Sequence, residues 1–156
     1  MADNDSLILK GLQSLSKAQD TRLELYKEFD DAYKDYLVDA CPPEQYHSIC
    51  KIVTEGFQEV SLDVQAIERA MLDAFNRKDI ATMIRRLQEA EKEKLRETAT
   101  LQILSIEARK GDKDYDDTIQ EKTSLLKQIQ ANIQDIWDEI RQETAELSFQ
   151  LADNSK

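Results

Sequence analysis

The chain of 156 residues has one histidine, one tryptophan, two cysteines, two prolines and three glycines, and each scarcity closes a class of function. Glu44-Gln45-Tyr46-His47 matches once the Glu-x-x-His motif of a di-iron bundle. Such a centre needs the motif from two helices, and His47 is the sole histidine. The same shortage leaves a Ser-His-Asp or Cys-His triad nothing but accident. Cys41 and Cys50 cannot build a disulfide framework and fit a reducing compartment. Taken with His47 and Asp39 or Glu44, they follow no finger, ribbon or knuckle spacing for zinc. Gly11, Gly56 and Gly111 lie far apart, so no phosphate-cradling loop or dinucleotide fingerprint exists and no cofactor is expected. No apolar run exceeds three residues, as in Leu7-Ile8-Leu9. A membrane span needs roughly twenty and a signal-peptide core about seven to fifteen. The expectation is an intracellular, non-secreted protein of nucleus or cytoplasm with no membrane partner, the interior of a cilium being the alternative.

What is abundant is charge. Asp and Glu number 32 against 21 Lys and Arg, a net charge of −11, and 34% of residues are charged beside 40% hydrophobic. An acidic chain repels phosphate backbones at long range, which disfavours direct nucleic-acid binding. Residues 77–110 run against the trend, with nine Lys and Arg against six Asp and Glu; that leaves −14 for the rest. Two readings follow. Arg77, Lys78, Arg85 and Arg86 are candidate contacts for an acidic partner or a nucleic acid. Alternatively the segment is a solvated face laced by i to i+3 pairs such as Glu89 with Lys92, Glu91 with Lys94 and Glu93 with Arg96. No aromatic residue lies between Phe75 and Tyr115 to stack on a base, which favours the second.

Apolar residues recur at the three-and-four spacing of one helical face. The second stripe is continuous: Tyr46, Cys50, Val53, Phe57, Val60, Val64, Ile67, Met71, Ala74. The first, from Ile8 through Leu12 and Leu15 to Tyr26, Phe29, Tyr33 and Tyr36, is interrupted by Gln19 and Arg22. The third, from Ile80, Met83, Leu87 and Ala90 to Leu101 and Leu104, is interrupted by Lys94 and Thr98. The fourth runs Tyr115, Ile119, Lys122, Leu126, Ile129, Ile133, Ile136, Ile140, then slips by one position to Thr144, Leu147 and Leu151. Breaks fall at Cys41-Pro42-Pro43, with Pro43 suited to a first helical position, at Asn76 through Asp79, and at Gly111 through Asp114. Asn76 suits a left-handed cap and Asp79 a helix start. The fold class is all-α: one domain over 7–152, with helices about 7–38, 43–75, 80–110 and 114–151 and frayed ends at 1–6 and 153–156. Short connections make the helices antiparallel, as an up-down-up-down bundle or as a pair of coiled-coil hairpins. The polar interruptions keep the hairpin arrangement open.

Trp137, beside Ile136 at the edge of the fourth stripe, reads first as core and second as a partner-interface anchor, as do Tyr33 and Tyr36. Three stretches carry a family likeness: Tyr26-x-x-Phe29 through Tyr36-Leu37; Tyr46-His47 with Cys50, Val53-Thr54 and Phe57; and Leu87-Gln88 followed by Glu91-Lys92-Glu93-Lys94-Leu95, Thr98 and Leu101-Gln102. Together they resemble the "required for excision, protein B" domain of DNA repair, over about Thr21 to Leu147. The resemblance implies a small helical accessory protein of excision repair without a catalytic activity, and hence no catalytic or metal residues to carry over. With an acidic chain, the expected role is a helical adaptor or scaffold whose partners are proteins, namely repair factors. The alternatives are a structural coiled-coil subunit of a large assembly such as the axoneme, with cytoskeletal partners, and a weak nucleic-acid binder through residues 77–110. The sequence leaves the oligomeric state open.

Overall fold

A computed structural model describes residues 2–111 and 114–154. Four helices make up the fold: α1 (Ala2–Leu37), α2 (Pro43–Asp73), α3 (Lys78–Arg109) and α4 (Asp116–Asn154). Helix α1 reaches back to Ala2, past the Leu7 start read from the sequence, and Asp5 near its beginning complements the positive end of the helix dipole. Met1, Ser155 and Lys156 lie outside the described residues, as do Asp112 and Lys113 of the third break.

The turns follow from backbone chemistry. Pro42 is extended, with φ −71° and ψ 156°, and Pro43 opens α2, where its missing N–H leaves no helical bond unmade. Between α2 and α3, Asn76 takes φ 53° and Arg77 N–H donates to the Met71 carbonyl at 2.7 Å, closing the end of α2. This turn puts Arg77, not Asp79, at the cap position of α3. Asp79 sits inside the first turn and accepts from the Arg77 guanidinium at 3.0 and 3.1 Å. Gly111 holds φ 79° after α3, a conformation that a side chain would strain. Asp39 adopts φ 58° in the first turn, where the sequence gives no glycine or asparagine to announce it.

Each helix packs against the next one in the chain, α4 returns to α1, and the diagonal α1/α3 pair scarcely meets. The fold is therefore an antiparallel up-down-up-down four-helix bundle. Its main core lies where α1 and α3 begin and α2 and α4 end. Leu12, Leu15, Val64, Met71, Ile80, Ile84, Leu87, Ile133, Ile136 and Ile140 are all but fully buried there, each contributing about 1.5–3 kcal/mol relative to exposure. Trp137 belongs to this core. The opposite end has a smaller cluster of Phe29, Val53 and Phe57, flanked by half-buried Tyr26, Cys50 and Leu95. Among the described residues α4 buries none before Ile129, and Ile119 and Leu126 of its stripe stay half-buried. The bundle is tight at one end and loose at the other. Gly56 lies at the α1/α2 contact, where an added Cβ would meet Leu25 Cδ2 at 2.8 Å; close approach of the neighbouring helix accounts for a glycine in mid-helix.

Candidate functional site

Gln19 and Arg22, the polar residues that interrupt the first stripe, meet Glu91 and Gln88 of α3 inside the bundle. Arg22 of α1 is 2% exposed and Glu91 of α3 is 5% exposed. Gln19 Nε2 donates to Glu91 Oε1 at 3.1 Å, and Arg22 Nη2 donates to Gln88 Oε1. Gln88 in turn donates through Nε2 to the Ser61 carbonyl of α2 at 3.1 Å, so one layer ties three helices together. Lys94 Nζ lies 4.2 Å from the centroid of the Tyr26 ring, a cation on an aromatic face. Nearer the loose end, Lys122 of α4 pairs with buried Glu97 of α3 at 2.7 Å. Tyr46 donates to Gln102 Oε1 at 2.9 Å, and its ring stacks on Tyr36 with centroids 4.7 Å apart.

This interior carries an electrostatic load. Burial pulls the Arg22 guanidinium below its ordinary pKa, opposed by the Glu91 charge, and burial acts the same way on Lys94. Burial raises the Tyr26 and Tyr46 phenols, because a buried phenolate loses its hydration. A phenol whose pKa is raised in the folded state contributes stability that is complete below its unfolded value, about 10, and falls as pH climbs past it. Alkaline titration followed by phenolate absorbance is expected to show Tyr26 and Tyr46 ionising only together with loss of helical circular dichroism. Replacing both by phenylalanine should remove that coupling. Ionisation of both tyrosines in an intact bundle would contradict the burial.

The basic candidates of residues 77–110 are mostly committed within the fold. Arg77 pairs with Asp79 and with Glu143 of α4; Arg85 pairs with Glu68 of α2 at 3.0 Å, and Arg86 with Glu139 of α4 at 3.0 Å. Lys78 is exposed. These ion pairs stitch α3 to its neighbours rather than running along α3 in i to i+3 steps. Tyr33 and Tyr36 are half-buried near the first turn, and Trp137 is 5% exposed with the Arg141 guanidinium 6.0 Å from its ring. His47 is exposed and Cys41 and Cys50 are free thiols. Among the described residues no group of three or more His, Cys, Asp or Glu could hold a metal ion, and no helix is long and apolar enough to cross a membrane.

Glu91, Glu97 and Gln102 were not among the sequence candidates. The signal for Glu91 is present: Ile80, Ile84, Leu87, Glu91 and Lys94 follow at steps of four and three, so Glu91 shares the buried seam with the isoleucines. Ala90, one position away, fits the same spacing and is buried as well. An open groove of about 750 Å³ lies between α2 and α3, with Phe57, Leu62, Arg85, Gln88 and Leu95 in its lining and the buried Arg22 at its floor.

The family model described as "DNA repair REX1-B" matches residues 10–105, which covers most of α1, all of α2 and nearly all of α3. The chain is 30% identical over 132 residues to the "Heterochromatin silencing protein rss1" of Schizosaccharomyces pombe, covering 83% of this chain and 97% of that protein. It is 27% identical over 139 residues to a "Required for excision 1-B domain-containing protein" of Mus musculus, covering 88% of this chain and 81% of the mouse protein. The Bos taurus protein of the same description is 25% identical over 139 residues, 88% of this chain and 77% of its own length. No solved structure matches the chain.

Proposed function

The chain belongs to the DNA repair REX1-B family, and from that membership we propose that it is a non-enzymatic helical adaptor, an accessory factor of excision repair that works through protein–protein contacts in the nucleus. Two relatives are described by excision and one by heterochromatin silencing. Both processes act on DNA in chromatin, where an adaptor would bring proteins together. The observation that carries the adaptor reading over direct DNA contact is the commitment of Arg77, Arg85 and Arg86 to acidic residues of the same chain. A phosphate backbone would have to compete with those carboxylates and with a net charge of −11.

Affinity purification of the tagged full chain, with nuclear and ciliary fractions kept apart, tests the proposal when combined with DNA mobility at low salt. Excision-repair proteins should be recovered from the nuclear fraction, and DNA should migrate unchanged. Salt-sensitive retardation abolished by neutralising Arg77, Lys78, Arg85 and Arg86 would replace the adaptor with a nucleic-acid binder. Recovery of axonemal or cytoskeletal proteins alone would replace it with a structural subunit.

A further inference from the structure

A charged residue at a seam position needs a partner across the interface, because burial strips its hydration. Lys122 holds such a position on α4, three residues after Ile119 and four before Leu126. Its Nζ lies 2.7 Å from Oε2 of the buried Glu97 on α3, in ionic contact but not in line for a hydrogen bond. The other Glu97 oxygen is 3.8 Å from Nε of Arg96, an exposed neighbour on the same helix. Among the described residues, Lys122 with Glu97 is the one ion pair between 116–128 and another helix. The cross-helix pairs of Glu139 and Glu143 lie in the half of α4 that joins the main core.

The apolar cluster at the same end is assembled without α4. Phe29 belongs to α1, Val53 and Phe57 to α2, and Leu95 and Ala99, packed against them, to α3. Leu125 is the first described residue of α4 packed on either cluster, and it joins the main one. Residues 116–124, about 14 Å of helix at 1.5 Å per residue, therefore lie outside both cores, with only Ile119 and Lys122 half-buried. A stretch that short is marginal as a helix by itself in water and keeps its form as a continuation of the firm half of α4.

We propose that residues 116–124 form a hinged strap, latched to α3 by the Lys122–Glu97 pair and turning about 125–129, so that the bundle has an open form in which the rest of the fold stays intact. An ion pair suits a latch because its net contribution is small: the attraction between two partly desolvated charges is largely offset by the hydration each gives up. Apolar residues at both positions would hold the strap more firmly, and the chain has charges there instead. The end of α3 leaves the strap free to move while still tethered, since no residue from Ile103 to Arg109 is buried. Opening returns both charges to water and bares the apolar side of Ile119. The inference is independent of the adaptor reading and gives the bundle two forms governed by one contact.

The test is hydrogen exchange of the full chain, read at single amides by nuclear magnetic resonance and corrected for intrinsic rates, in three forms: wild type, Lys122→Glu, and the double variant Glu97→Leu with Lys122→Leu. In wild type the amides of 120–124 should exchange about a hundredfold or more faster than those of 133–140, the mark of an opening that leaves the main core closed. Lys122→Glu sets two carboxylates against each other and should speed exchange over 120–124 about tenfold, with 133–140 unchanged. The double variant replaces the latch by an apolar contact and should slow exchange over 120–124 about tenfold below wild type, again with 133–140 unchanged. The opposite directions of the two variants guard against misfolding, because general damage to the bundle cannot protect 120–124. Uniform protection along α4 in wild type overturns the proposal. So do parallel changes at 120–124 and 133–140 in either variant, which would make the pair an ordinary part of global stability. Exchange over 120–124 that neither variant alters overturns it as well, because the strap would then move without regard to the pair.

Discussion

Glu91→Leu is expected to lower the stability of the bundle by about 3 kcal/mol, the scale of breaking a buried ionic arrangement by removing one partner. Glu91 is the buried carboxylate that acts on both Arg22 and Lys94, two cations that burial already disfavours. Without it, each keeps its desolvation penalty and loses the opposing charge. Gln19 also loses the acceptor of its 3.1 Å hydrogen bond. Adding Arg22→Met to Glu91→Leu should recover more than half of the loss. The pair then becomes apolar side chains of similar reach, a replacement that is often neutral or better. Urea unfolding of wild type, the two single variants and the double variant closes the cycle. Additive losses, with no recovery in the double variant, would mean that Arg22 and Glu91 are not electrostatically coupled.

This layer marks how far the sequence could be read. The second stripe was legible for most of its length: Tyr46, Val53, Phe57, Val60, Val64 and Met71 are buried as their spacing requires, whereas Cys50 and Ile67 are half-buried and Ala74, past the end of α2, is exposed. Pro43, Asn76 and Gly111 are legible for a similar reason, because each has a backbone conformation favoured by its own covalent structure. Gln19 and Arg22 were visible as interruptions, but interruption alone fits either an open seam or a matched polar layer. The choice depends on Gln88 and Glu91, more than sixty residues away along the chain. Glu91 itself was hidden by Ala90, since two adjacent positions suit the same helical spacing. The pairing of Arg77, Arg85 and Arg86 across helices was hidden for a different reason. Local spacing offers partners along α3, while the real ones lie on α2 and α4.

Truncation at the two ends of the bundle should expose their unequal packing. Ile84 of α3 is fully buried within the main cluster, surrounded by residues from the other helices. Ile84→Ala removes buried methyl and methylene groups and leaves a cavity that a closely packed interior only partly refills, which should lower stability by about 3 kcal/mol. Leu126 of α4 has the same spacing to its stripe but remains half-buried. Leu126→Ala removes surface that water already reaches, and its neighbours at the loose end are freer to close over the gap, so the expected loss is about 1 kcal/mol or less. For a domain of this length each kcal/mol moves the melting midpoint by about 2–4 °C, enough to separate the two variants in one thermal scan. Hydrogen exchange supplies an independent measure. Amides of α4 before Ile129 should open through local fluctuations, whereas those from Ile133 to Ile140 should exchange only on global unfolding. Equal losses for the two variants, with uniform protection along α4, would show that the bundle is closed equally at both ends. A loose end of the expected kind leaves the Arg22 layer at the boundary between a firm half and a yielding one.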